Sequence, residues 1–116
     1  MLNESEYNET ADASEMQALN GLWAYSIPDY VDSTAFSFDE RKKLFFWLFE
    51  RLLKEGRIKL AKHGKFLEGD IDEQIERFRK AFPKTEEEME DGIWFFDESC
   101  PGGAVWVLED GSLEWT

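Results

Sequence analysis

Gly103-Ala-Val-Trp-Val-Leu-Glu-Asp-Gly-Ser-Leu-Glu-Trp-Thr116 is the stretch that decides the fold. Two runs of β-favouring residues flank Asp110-Gly111, the strongest short-range hairpin signal a sequence carries. A two-residue type I′ turn there sets Leu108 opposite Leu113 and Trp106 opposite Trp115. Period-two alternation then puts all four side chains on one face, and the Trp106–Trp115 pair reads as core. Ala104 to Glu109 is the first arm of this hairpin, and Ile93 to Asp97 reads as a further strand. The C-terminal part of the chain is therefore expected to be β.

Upstream the period changes. Ile71, Ile75, Phe78 and Phe82 recur at spacings of four, three and four, one apolar stripe of a helix. Asp70 opens it, with Glu73 three residues on as a capping box, and Pro83 closes it. Thr85 can cap a short acidic turn, Glu86 to Asp91, stopped by Gly92. A longer helix is capped by Ser37 or Asp39 and runs to about Glu55, with Gly56 as its stop. Arg57 to Lys62 alternates like a short strand, and His63-Gly64-Lys65 reads as a turn. A weaker helical pattern begins near Ser14 with Met16, Leu19, Leu22 and Trp23 and ends before Pro28; Ser26 to Ser37 is a connecting loop. Residues 1–12 are polar and acidic and are expected to form a disordered tail. Residues 13–116 then make a single α+β domain, three to four helices packed on a small antiparallel sheet with a C-terminal β-hairpin.

Charge is distributed in blocks. The first 40 residues hold nine acids and no base, residues 41–84 hold all 13 bases against seven acids, and residues 85–116 hold ten acids and no base. The blocks carry −9, +6 and −10, for a net charge of −13. Such a field speaks to solubility and to the sign of a partner, not to the fold. Disorder is not implied, because disordered chains are poor in rings and this one has 10 Phe, 5 Trp and 3 Tyr. There is no secretory signal at the N-terminus and no apolar run of the ~18 residues that would span a bilayer, so the expected location is the cytoplasm, with no membrane partner. Nucleic acid is a poor match, since phosphate binding wants a net basic footprint.

No catalytic constellation stands out. The sole histidine, His63, lies in a turn between lysines, and the sole cysteine, Cys100, lies in a glycine-rich loop. Two such residues cannot fill a closed zinc site, and Glu86 to Asp91 lacks the ligand alternation of a calcium loop. No metal or cofactor is expected. Paired carboxylates acting as acid and base remain an open alternative, because they are recognised by geometry.

Two features suggest a binding surface instead. Glu86, Glu87, Glu88, Glu90 and Asp91 lead into Ile93-Trp94-Phe95-Phe96, and Asp97 and Glu98 follow. Acids beside aromatics combine steering with a desolvated anchor. Trp47, in turn, falls on the polar face of its helix, opposite Leu44, Phe45, Leu48, Phe49, Leu52 and Leu53. It is either covered by another element, such as the N-terminal helix, or an exposed anchor.

Phe36-Ser-Phe-Asp-Glu-Arg, Leu52-Leu53-Lys-Glu-Gly56-Arg-Ile-Lys-Leu60, Glu73-Gln-Ile-Glu-Arg-Phe78, Trp94-Phe-Phe and the terminal 103–116 stretch together resemble a small family of uncharacterised bacterial proteins. Its genes tend to lie beside secreted polymorphic toxins of the contact-dependent-inhibition and Maf adhesin type. The resemblance spans about Phe36 to Thr116 and rests on structural motifs, so it transfers no catalytic residue. It implies an immunity protein that binds and blocks a toxin domain, and the acidity of the chain suits a basic one such as a nuclease. The alternatives are a small carboxylate-dependent enzyme, or a self-associating structural protein whose basic middle meets the acidic ends of a second copy.

Overall fold

The computed structural model describes residues 2–28, 30–32 and 34–116; the expectations placed on Met1, Asp29 and Ser33 lie outside them. In chain order the elements are α1 (Glu4–Ser14), α2 (Leu19–Ala24), α3 (Phe38–Lys54), β1 (Ile58–Lys62), β2 (Lys65–Phe66), α4 (Ile71–Ala81), α5 (Glu86–Met89), a kinked 3₁₀ segment (Glu90–Phe96), β3 (Gly103–Val107) and β4 (Leu113–Trp115). The architecture is α+β, and its four strands form one antiparallel sheet in the order β2-β1-β3-β4.

Local chemistry sets the long helix. The Ser37 side chain accepts from Glu40 N–H while the Glu40 carboxylate accepts from Ser37 N–H, which satisfies two otherwise orphaned donors. Asp39 and Glu40 sit at the positive end of the helix dipole and Arg51 and Lys54 at the negative end. At the far end Gly56 adopts φ +75°, Gly56 N–H donates to Leu53 O and Arg57 N–H to Leu52 O, the paired bonds of a Schellman stop. The chain leaves this stop directly into β1. His63 and Gly64, at φ 53° and 76°, then form the two-residue turn that pairs Lys62 with Lys65. Asp70 caps α4 by accepting from Glu73 N–H at 2.9 Å.

The core lies between α3 and the inner sheet face. Ile58, Leu60, Ala104 and Trp106 alternate inward from β1 and β3 and are all buried. Above them, rings of Trp23, Phe45, Phe49, Phe78, Phe82 and Phe95 interlock. Phe46, outside the apolar stripe that helical periodicity defines on α3, is also buried, against Phe82 and under the Arg79 guanidinium.

Four expectations need correction. First, the 1–12 segment is not a tail from Glu4 onward but helix α1, begun by a reciprocal Asn3–Glu6 capping box. Its buried apolar residues, Tyr7 and Ala11, are 1% and 0% exposed, and its acids Glu4 and Asp12, with Glu15 at its C-cap, meet Arg51 and Arg57. The local helical tendency is poor, and docking supplies what propensity does not. Second, the weak pattern from Ser14 splits. Ser14 ends α1, and Met16 turns the chain with φ 70° before α2 begins at Leu19.

Third, Ile93 to Asp97 is not a strand. Glu90 and Asp91 take left-handed φ of 51° and 55°, and Gly92 follows at 94°, reversing the chain into a 3₁₀ turn closed by Asp97 N–H on Trp94 O. Adjacent Trp94 and Phe95 are both buried while Ile93 and Phe96 are 62% and 66% exposed, a pattern period-two alternation cannot produce.

Fourth, the C-terminal hairpin is one residue out of the expected register: Val107 faces Leu113, Trp106 faces Glu114 and Val105 faces Trp115. Gly111 N–H donates to Leu108 O and Leu108 N–H to Ser112 O. That is a three-residue loop with Gly111 alone in the left-handed region, at φ 86°, in place of the two-residue turn. The slip moves Leu113 and Trp115 to the outer face, where they are 40% and 47% exposed. Trp106 stays inside, and its indole N–H donates to Gln17 O at 2.7 Å.

Candidate functional site

The acids singled out in the sequence form a rim around the α5 turn and the 3₁₀ segment. Thr85 accepts from Glu88 N–H and starts α5, so Glu86, Glu87 and Glu88 occupy its first turn, where the dipole favours them. The left-handed residues Glu90 and Asp91 then turn outward, and Gly92 passes so close to α2 that a Cβ there would lie 3.3 Å from Asn20 Cβ. Trp94 anchors the segment through its indole N–H to Ser99 Oγ at 3.0 Å. All seven acids are exposed.

They are not equivalent. Glu98 is held by His63 at 2.9 Å and lies 3.6 Å from Lys62 Nζ; the His63 hydrogen bond, then the Lys62 charge, lower its pKa. Asp97 accepts from Ser99 N–H, which lowers its pKa too. Glu88 accepts from Lys84 N–H. Among the described residues, Glu86, Glu87, Glu90 and Asp91 have no side-chain hydrogen bond or ion pair. Asp91 and Glu86 still lie within the field of the Arg41 guanidinium, so Glu87 and Glu90 are the least engaged of the four, on the same short stretch of chain as two exposed apolar side chains, Ile93 and Phe96. The sequence grouped Trp94 and Phe95 with these two as anchors, but both face the core. The acids' junction with Gly92 was the available signal that the chain reverses there.

Trp47 belongs to a different surface. It is half-buried under α1, edge-on to Tyr7 at 5.9 Å, with the Arg51 guanidinium 5.8 Å from its ring. The same guanidinium covers the Tyr7 ring at 3.7 Å, and the Tyr7 hydroxyl donates to Glu55 at 2.7 Å. Burial and the bond to Glu55 push the Tyr7 pKa up. The covered alternative thus describes Trp47 better than the free anchor.

His63 and Cys100 are engaged separately. The Cys100 thiol is buried and donates to Gly102 O at 3.3 Å, and desolvation pushes its pKa from 9.0 to about 11. A thiol in that state is a poor nucleophile near neutral pH. Because the folded pKa is the raised one, the folded state holds the proton more tightly. Its contribution is complete below pH 9.0, falls as pH rises, and is lost by about 11. Wild type is therefore expected to lose about 2–3 kcal/mol more stability than Cys100→Ala between those limits, measured by urea unfolding across the alkaline range.

Among the described residues, every carboxylate with a displaced pKa is displaced downward, first by a hydrogen bond that it accepts: Asp32, Glu55, Asp97, Glu98 and Asp110. A general acid at neutral pH needs the opposite shift. Among the described residues no cluster of three His, Cys, Asp or Glu is placed to hold a metal ion, and no helix is long and apolar enough to cross a membrane.

Comparison with known proteins places this geometry in a family. No curated protein matches the chain. A solved structure from Neisseria meningitidis, described as an uncharacterised protein conserved in bacteria, is similar over 97% of this chain and 88% of its own, at 30% identity and a TM-score of 0.79. Residues 53–116, from the end of α3 through β4 and including the whole acidic rim, match the family described as a protein of unknown function, DUF596. The chain belongs to the DUF596 family.

Proposed function

We propose that the protein is an immunity-type inhibitor that binds a basic toxin domain through the acidic rim of α5 and the 3₁₀ segment. The observation that carries this reading is the set of four exposed carboxylates without a hydrogen-bonded partner, Glu86, Glu87, Glu90 and Asp91, followed directly in the chain by exposed Ile93 and Phe96, with Arg41 acting only on Glu86 and Asp91. Free acids steer a basic partner, and association under such steering reaches roughly 10⁸–10⁹ M⁻¹s⁻¹ at low salt. The apolar pair offers area to desolvate once contact is made. The family resemblance supplies the toxin as the partner, and a cytoplasmic location follows from that role.

The direct test is co-expression with the C-terminal domain of the toxin encoded beside the gene. Capture of a stoichiometric complex and protection of the cell are expected; absence of both rejects the reading. Glu87→Lys with Glu90→Lys then tests the surface. Thermal stability should move within about ±0.5 kcal/mol, as is usual for exposed positions, while association at low ionic strength slows about tenfold. Wild-type association by the double variant would remove the rim from the interface.

The competing self-associating reading meets a physical difficulty. Arg51, Lys54, Arg57 and Lys62 already pair with Glu4, Glu55, Glu50, Asp12, Glu15 and Glu98 of their own chain.

A further inference from the structure

The outer face of the sheet carries an apolar surface that the core does not use. Phe66 on β2 and Trp115 on β4 belong to opposite edges of the four-stranded sheet, about 14 Å apart at the usual strand spacing. Their rings lean inward over the two central strands and come within 5.2 Å. Beneath them Val105 and Ala61 are only 1% and 8% exposed. Leu113 extends the surface along β4, and Phe66, Leu113 and Trp115 all remain 40–47% exposed.

The same strand has a free backbone edge. Leu108 N–H bonds to Ser112 O and Thr116 N–H to Ala104 O, so the even-numbered residues of β4 face β3. By the alternation of an antiparallel ladder, the N–H and C=O groups of Leu113 and Trp115 point away from the sheet. No strand among the described residues pairs with that edge. The two residues whose side chains build the apolar surface are thus also the two whose backbone groups are unpaired.

We infer that β4 is a docking edge for an extended segment of a basic partner, in which apolar side chains alternate with Lys or Arg. The apolar residues lie opposite Leu113 and Trp115, and a cation lies opposite Glu114 between them. Charge along the β4 edge selects this occupant, since the cation near the apolar surface, Lys59, lies over Phe66 on the far, β2 side of the sheet, 5.4 Å from that ring. No base occurs from Thr85 to Thr116, and Glu109, Asp110 and Glu114 are the charged residues of the hairpin. A second copy of the chain fits poorly. The antiparallel register that pairs Leu113 with Trp115 in both directions sets Glu114 against its own copy, and like charges directly opposite are destabilising. Each copy also carries −13. Strand addition of this type takes affinity from the main chain and specificity from alternate side chains.

The probe is the peptide acetyl-Thr-Lys-Val-Lys-Val-Lys-Val-Thr-amide, beside an analogue with glutamate for lysine. Amide exchange is followed by NMR on the full chain. In the free protein the Leu113 and Trp115 amides exchange quickly; millimolar lysine peptide is expected to slow both about tenfold or more, and the glutamate peptide is not. Leu113→Pro removes an outward N–H without breaking a bond to β3 and should abolish the protection at Trp115, the outward amide that remains. Glu114→Lys keeps the edge whole and should reverse the preference between the peptides. Unchanged exchange at Leu113 and Trp115, or equal protection by both peptides, overturns the inference. So does a peptide-free dimer in sedimentation that protects these amides, since the occupant would then be a second copy. The edge is separate from the acidic rim and the probe contains no toxin. A failed titration therefore leaves the toxin-binding reading standing, and a failed toxin capture leaves the edge.

Discussion

Phe45→Ala is expected to lower the unfolding free energy by about 3–5 kcal/mol, a large share of the roughly 5–15 kcal/mol that keeps a domain folded. Phe45 is fully buried at the centre of the ring cluster. It stacks on Phe49 at 5.3 Å, meets Phe46 edge-on at 5.4 Å, and touches Trp23, Phe82 and Phe95 within 5.8 Å. These partners come from α2, α3, the end of α4 and the 3₁₀ segment, so the cavity left by the substitution cannot be closed by shifting one element. Phe45→Leu keeps most of the volume and should cost less than about 1.5 kcal/mol. Urea unfolding of both variants measures the difference. A Phe45→Ala loss below that of Phe45→Leu would mean that the rings do not interlock as described.

Trp106→Ala should cost a similar 3–5 kcal/mol, whereas Trp115→Ala should cost about 1. The two indoles occupy one hairpin and differ only in face. Trp106 is 1% exposed, Trp115 is 47% exposed, and removing Trp106 also leaves Gln17 O without its indole donor. The main loss at Trp115 is its ring contact with Phe66, worth about 0.5–1.5 kcal/mol. Equal losses in a paired denaturation experiment would restore the register read from the turn sequence.

That register shows where sequence reasoning ran out. Asp-Gly suits a two-residue turn with both residues left-handed, and equally a three-residue loop in which only Gly is. The choice rests on Asp110, whose carboxylate accepts from both Ser112 N–H and Ser112 Oγ, at 2.9 and 2.6 Å. This side-chain bridge belongs to the wider loop and leaves no mark in the hydrophobic pattern. The Ser37 cap, the Gly56 stop, the α4 stripe and the β1 alternation were legible because each is settled by neighbours within four residues. Ile93 to Asp97 was misread because a run of large apolar residues suits a strand as well as a tight turn, and docking on α2 decides between them. Helix α1 had a visible signal, Asn3 three residues before Glu6, but the burial of Tyr7 and Ala11 depends on Arg51 and Arg57, more than 40 positions away. For the candidate site, the sequence located the acids. Which of them are engaged depends on where Arg41, Lys62, His63 and Ser99 fall in space.

The strand order carries a kinetic consequence. β1–β2 and β3–β4 are each local ribbons, able to form in about 1–10 μs. Yet the central seam joins β1, which ends at Lys62, to β3, which begins at Gly103. Closing that long loop costs entropy before any seam contact repays it. The seam is therefore expected to form after the two ribbons, which are marginal by themselves, when α4 and the 3₁₀ segment dock. Until then the edges of β1 and β3 stand open, so the interval before the seam closes is when the chain is most prone to pair with the wrong neighbour.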